Sequence, residues 1–147
     1  MELGNFFQVY INYLAVLLSA IAGMLIGYTW YGPLFGKRWM KLTEMKPDRK
    51  LEANNQRSVT YSLMFVSLLV MAYVLAHFVW YAAPGSLTLF IAVKTAVWAW
   101  LGFVATYALT KFLFNPGKRP PFTLLAIDTG YYLVTLMVMG VIFAVLH

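Results

Sequence analysis

Four apolar runs, residues 9–31, 58–80, 87–114 and 121–146, take up most of this 147-residue chain. Each is about 20 residues or longer, the length of helix that crosses a hydrocarbon core of about 30 Å. The composition agrees. The chain is 62% hydrophobic and 11% charged, against about 45–50% apolar and about 25% charged in a soluble domain. A water-soluble fold of this size could not hide so much apolar surface. The expected fold is therefore all-α, an integral membrane four-helix bundle in which residues 1–147 form a single transmembrane domain.

The charges fall between the spans and on one side. Lys37, Arg38, Lys41, Lys46, Arg49, Lys50 and Arg57 lie between the first and second runs, and Lys111, Lys118 and Arg119 between the third and fourth. The turn Tyr81–Ser86 carries no basic residue. Basic loops stay cytoplasmic, so both termini are expected on the non-cytoplasmic side. The net charge of +6 is then a topology signal, and no nucleic-acid partner is expected. The N-terminus has Glu2 and no basic stretch, so no cleavable signal peptide is expected. The location implied is the cell membrane, multi-pass, as in a bacterial inner membrane.

The first span carries Ala15, Ser19, Gly23 and Gly27 at intervals of four, which places small side chains along one helix face. In a bilayer such a face lets another backbone come close. The third span repeats the pattern with Gly102, Thr106 and Thr110, and the fourth with Gly140 and Ala144. Ala15, Ser19, Gly23, Gly27, Gly102 and Gly140 are the expected helix-packing residues. Gly32-Pro33 is expected to end the first helix, and Ser86 to cap the third. Trp39, Leu42 and Met45, spaced by three among basic residues, suit either a short surface helix ended by Pro47 or an irregular loop.

Lys94 and Asp128 are the charges inside the spans. An intramembrane charge is a functional-site candidate by default. One reading links Lys94 and Asp128 with Thr95, Thr129 and Tyr131 in a proton relay. The favoured one has Lys94 reaching outward to the interface and Asp128 held by hydroxyls or basic loop residues. His77, beside Phe78 and Trp80, is a candidate axial ligand for a metal or porphyrin, but no second ligand accompanies it. The cofactor is thus unknown, and no metal site or catalytic set stands out. With no cysteine, disulfides and thiolate sites are excluded. Most tryptophans and tyrosines sit at span ends, as in an interfacial belt. Trp98 and Trp100 lie near mid-span, where each indole N–H wants a partner.

The stretch NYLAVLLSAIAGMLIGYTWYGPLFGKRWM, Asn12 to Met40, resembles the opening of a bacterial family of small membrane proteins catalogued as domain of unknown function 1761. The shared features are an Asn-aromatic-Leu-Ala start, a small-residue helix, a Trp-Tyr-x-Pro exit and a Phe-Gly-Lys-x-Trp-Met continuation. Leu101-Gly102-Phe103-Val104 and the run from Asp128 to Leu146 resemble its third and last helices. The sequence departs from that family where Asp128 replaces a frequent Asn and Tyr132 a frequent His. The resemblance implies the four-span fold and leaves activity open.

Two functions are expected on these grounds. The first is a non-enzymatic accessory or structural subunit, or homo-oligomer, working by helix packing with membrane lipids, copies of itself or a larger complex. The second is a small oligomeric transporter or channel with Asp128 and Lys94 on its path.

Overall fold

The computed structural model describes residues 9–44, 54–117 and 120–147. Among them every regular element is helical: α1 (Tyr13–Thr29), α2 (Gly36–Leu42), α3 (Asn54–Ala82), α4 (Leu89–Ala99), α5 (Thr106–Leu113) and α6 (Phe122–Val145). A π-helical turn, Trp30–Leu34, extends α1, and a second π segment, Trp100–Ala105, joins α4 to α5. Four helices are long and apolar enough to cross a membrane: Tyr13–Leu34, Gln56–Ala82, Leu89–Leu113 and Phe122–Val145. The chain has the build of a multi-pass membrane protein. Met45, Pro47 and the basic residues Lys46, Arg49, Lys50, Lys118 and Arg119 lie outside the described residues.

Local chemistry sets the boundaries. Asn12 caps α1, its side-chain oxygen accepting from the Ala15 N–H at 3.2 Å. The amide of the same side chain donates to the Leu146 carbonyl at 2.6 Å, tying the start of the first span to the end of the last. The cap of α4 is Thr88, which accepts from the Ile91 N–H at 3.3 Å, and not Ser86, whose N–H closes the preceding turn on Ala83 at 3.4 Å. The first helix also runs past Gly32-Pro33. Proline removes one N–H and crowds the carbonyl four residues back. Widening the turn relieves this, and the Phe35 N–H reaches the Trp30 carbonyl five residues back at 2.9 Å.

Helix α6 is the hub, packing against α1, α3 and α4. The core combines Ala15, Val16 and Ala20 of α1 with Leu68, Ala72 and Leu75 of α3, and Ala92 and Ala96 of α4 with Leu136, Met139 and Phe143 of α6. Small residues let these helices approach. A Cβ on Gly23 would lie 3.0 Å from a Leu68 methyl and 3.2 Å from that of Thr135. At Gly27 it would meet Met64 at 3.2 Å and Tyr131 at 3.4 Å. At Gly140 it would lie 3.0 Å from the backbone oxygen of Ala92. Ala15, Ser19, Gly23, Gly27 and Gly140 are thus all buried against the chain's own helices.

Gly102 differs from this group. It is exposed, and nothing lies within 4 Å of where a Cβ would stand. An α-helix turns about 100° per residue, so the one-residue excess of a π turn rotates the residues beyond it by roughly that amount. This brings Phe112 back toward the bundle, where it is 8% exposed. Gly102, Thr106 and Thr110, spaced by four, share the outer surface of this span. Their hydroxyls are satisfied within the helix, Thr106 donating to the Gly102 carbonyl at 2.6 Å and Thr110 to that of Thr106 at 2.9 Å.

Candidate functional site

Three indoles from three different segments converge on consecutive residues of α6. Trp30 Nε1 donates to the Ile127 carbonyl at 2.9 Å. Trp39 Nε1 donates to Oδ1 of Asp128 at 3.0 Å. Trp100 Nε1 donates to the Thr129 carbonyl at 2.8 Å. Local sequence explains how each arrives. The turn widened around Pro33 swings Trp30 and Tyr31 toward α6. Gly36 then starts α2 in a place where any Cβ would run into the Tyr31 carbonyl, and one turn later α2 presents Trp39. On the other helix, Gly130 leaves room for Trp30, whose Cζ2 would be 3.1 Å from a Cβ there.

Asp128 is the centre of this cluster. Its Oδ1 accepts from the Tyr31 hydroxyl at 2.9 Å as well as from Trp39. The rings of Tyr31 and Trp39 meet edge to face, 5.5 Å between centroids, and Tyr31 lies as close to Tyr131. Among the described residues, neither a cation pairing with Asp128 nor a hydrogen-bond donor to its Oδ2 is found. The carboxylate instead lines a cavity of about 360 Å³ between α5 and α6, together with Lys111, Asn115, Thr129 and Tyr132. The Lys111 ammonium stands 6.0 Å from the centre of the Tyr107 ring. Among the described residues, then, an acid and a base share one cavity without an ion pair between them, at the end of the bundle that also carries Lys37, Arg38 and Lys41.

The other candidates lie elsewhere. Lys94 is exposed, its ammonium 5.9 Å from the centre of the Phe90 ring, and it does not meet Asp128. Thr95 and Thr129 turn their hydroxyls onto their own helix, at Ile91 and Leu125. The relay drawn from sequence through Lys94, Thr95 and Thr129 is therefore not assembled, although Tyr131 does adjoin the Asp128 cluster. Trp98 is 62% exposed, in contrast to the bonded Trp100. His77 Nδ1 lies 2.8 Å from the Tyr73 carbonyl, a contact that needs the proton on Nδ1, and its ring packs on Tyr73. Among the described residues no three His, Cys, Asp or Glu side chains form a metal-binding group.

Sequence reasoning placed Asp128 but missed its partners. Tyr31 and Trp30 look like belt residues, and Trp39 like the apolar face of a surface helix. Leu42 is half-buried, and Trp39 is turned onto α6. The signal that was available is the Trp-Tyr-x-Pro exit followed by Phe-Gly-Lys-x-Trp. That unit of bend, glycine and second indole is needed to bring three ring donors back to one helix.

Among known proteins, no curated protein and no solved structure matches the chain. The model of the family described as "Protein of unknown function (DUF1761)" matches residues 14–144. That stretch includes α1, the Trp30–Trp39 unit and Asp128, and the chain is a member of this family.

Proposed function

We propose that the protein handles protons at Asp128, as the working residue of a small membrane carrier or conductor. The observation that supports this is the state of the carboxylate. It sits within a membrane-length helix, is fixed on one oxygen by two neutral donors, has no cation partner among the described residues and borders a cavity. A purely structural intramembrane acid is expected to be paired or fully bonded, whereas proton relays in membranes use carboxylates of this kind. Lys111, at the same cavity, supplies a nearby positive charge without closing the site. The basic end of the bundle faces the cytoplasm in this reading, so the cavity takes up protons from that side. The role needs no covalent chemistry.

The test is an infrared titration of the purified protein, with Asp128→Asn as reference. A reversible carboxyl signal, lost in the variant and shifting with buffer pH, is the expected result. A protein with no such signal between acid and alkaline buffers would not handle protons at Asp128.

A second reading is self-association through the third span. Only 11% of that span's most apolar window is buried, against 28–33% in the others. The faces of α1 and α6 are already filled within the chain, so Gly102, Thr106 and Thr110 are what a second copy would use. Crosslinking at Thr106 in native membranes tests it, and capture of the monomer alone would remove it.

A further inference from the structure

The cavity at Asp128 has walls of opposite charge. Asp128 lines it from α6 and Lys111 from α5. The packing of these two helices sets the depth of each charge. The rings of Phe112 and Phe122 meet at 4.7 Å between centroids, which brings the end of α5 level with the start of α6. Asp128 lies six residues beyond Phe122, about 9 Å deeper. Lys111 starts beside Phe112, but its ammonium is drawn back over the Tyr107 ring, 6.0 Å from the ring centre. Tyr107 is one turn, or about 6 Å, deeper than Lys111. The carboxylate and the ammonium thus stand at nearly one level, on two neighbouring helices.

Asp128 is not free to swing across. Its Oδ1 accepts from Tyr31 and Trp39, which tie the carboxylate to the exit of α1 and to α2. Oδ2 is the acceptor that remains. Asn115, just past α5, lines the same cavity. Its Oδ1 accepts from the Gly117 N–H at 3.1 Å, so what it offers a ligand is its amide hydrogens. One wall therefore presents a carboxylate oxygen, and the other an ammonium and an amide. Val104, Phe112, Leu124 and Leu125 make the rest of the lining apolar. The volume, about 360 Å³, falls in the range of small-molecule sites.

Charge then selects the ligand. A cation alone gains Asp128 but is repelled by Lys111, and an anion alone meets the reverse. In a site of low dielectric such repulsion is as large as the attraction it opposes. A molecule that carries both charges satisfies both walls and enters with no net charge. We propose that this cavity binds a small zwitterion with an apolar body, its primary ammonium on Oδ2 of Asp128 and its acid anion on Lys111 and Asn115. This names what the proposed carrier takes up, and it rests on that reading of Asp128. Two sources present this chemistry, a free amino acid with an apolar side chain and the headgroup of phosphatidylethanolamine. Binding makes and breaks no covalent bond.

The test is isothermal titration calorimetry of the full chain in phosphatidylcholine nanodiscs, with L-leucine as the free probe. Leucine should bind. Isoamylamine, which lacks the anion, and isocaproate, which lacks the ammonium, should each bind about tenfold more weakly or worse. Asp128→Asn and Lys111→Met should weaken leucine by a similar factor, and Lys111→Arg should keep it. Lys111→Met should also bind isoamylamine more tightly than wild type does, because the repulsion is gone, and a loss of folding cannot produce that gain. Nanodiscs containing phosphatidylethanolamine separate the two sources. Leucine binding that survives there assigns the site to the free zwitterion. That lipid retained on wild type in native mass spectrometry, and lost from Asp128→Asn and Lys111→Met, assigns it to the headgroup. Neither leucine nor phosphatidylethanolamine bound, or binding unmoved by both substitutions, overturns the zwitterion site. In that case an intact infrared titration of Asp128 leaves the proton reading standing, and absence of the titration overturns that reading too.

Discussion

Tyr31, at the end of the first span, donates its hydroxyl hydrogen to Asp128 in the last, over 2.9 Å and 97 positions of sequence. The bond joins two features that look unrelated along the chain, an aromatic belt residue and an intramembrane acid. It also ties the bend at Pro33 to the second turn of the hub helix. Trp39 adds a second donor to the same oxygen, so the exit of α1 and the whole of α2 are organised by one carboxylate.

Removing the Tyr31 hydroxyl should therefore matter only while Asp128 is present. A hydrogen bond to a charged group contributes about 1.5–3 kcal/mol in soluble proteins, and polar bonds between membrane helices average about 0.6 kcal/mol. Tyr31→Phe should cost about 1 kcal/mol in wild type and a few tenths in an Asp128→Ala background. Reversible unfolding in mixed detergent micelles measures both. Equal costs in the two backgrounds would mean that Tyr31 stabilises by packing on Tyr131 alone.

The spans and the acid were legible because they rest on local chemistry. Runs of apolar residues, basic loops and a lone Asp in a span are visible without neighbours. Small-residue spacing was also informative for Gly23, Gly27 and Gly140. At Gly102, Thr106 and Thr110 the same spacing marks a face that lies outward and not against the chain's own helices, and spacing alone does not say which way a face turns. Nor does any residue between Trp100 and Ala105 announce the π segment there. Ser19 and Thr135, whose buried hydroxyls have no hydrogen-bond partner among the described residues, were similarly opaque. Whether a hydroxyl bonds its own helix depends on the rotamer that its neighbours allow, which the sequence does not display.

The glycines divide by what stands opposite them. At Gly140 an added methyl would press on the Ala92 backbone, 3.0 Å away, which cannot turn aside. Overpacking of that kind costs about 1–3 kcal/mol. At Gly23 the neighbours are the ends of the Leu68 and Thr135 side chains, which can shift, so the cost should be smaller. At Gly102 the space is open, and alanine should gain up to about 1 kcal/mol from helix propensity. Thermal unfolding should rank Gly102→Ala at or above wild type, then Gly23→Ala, then Gly140→Ala. A Gly140→Ala variant as stable as wild type would show that α4 and α6 are not held at the distance described.

The same position offers a sharper test of the π segment. Substituting Gly102 should be harmless, whereas deleting it should not. Deletion removes the extra residue of the wide turn and lets α4 run into α5 as one regular α-helix. Everything after the deletion then rotates by roughly 100° about the axis and moves back by about 1.5 Å. Trp100 precedes the change, so its bond to Thr129 survives. Phe112 does not keep its place. Its ring now packs 4.7 Å from that of Phe122, and an aromatic pair contributes about 0.5–1.5 kcal/mol beyond buried area. Lys111 turns out of the Asp128 cavity at the same time. The deletion variant should unfold at lower temperature than wild type, and Gly102→Ala should not. A deletion variant with wild-type stability would mean that the register of α5 is set by the loop beyond it and not by the π segment.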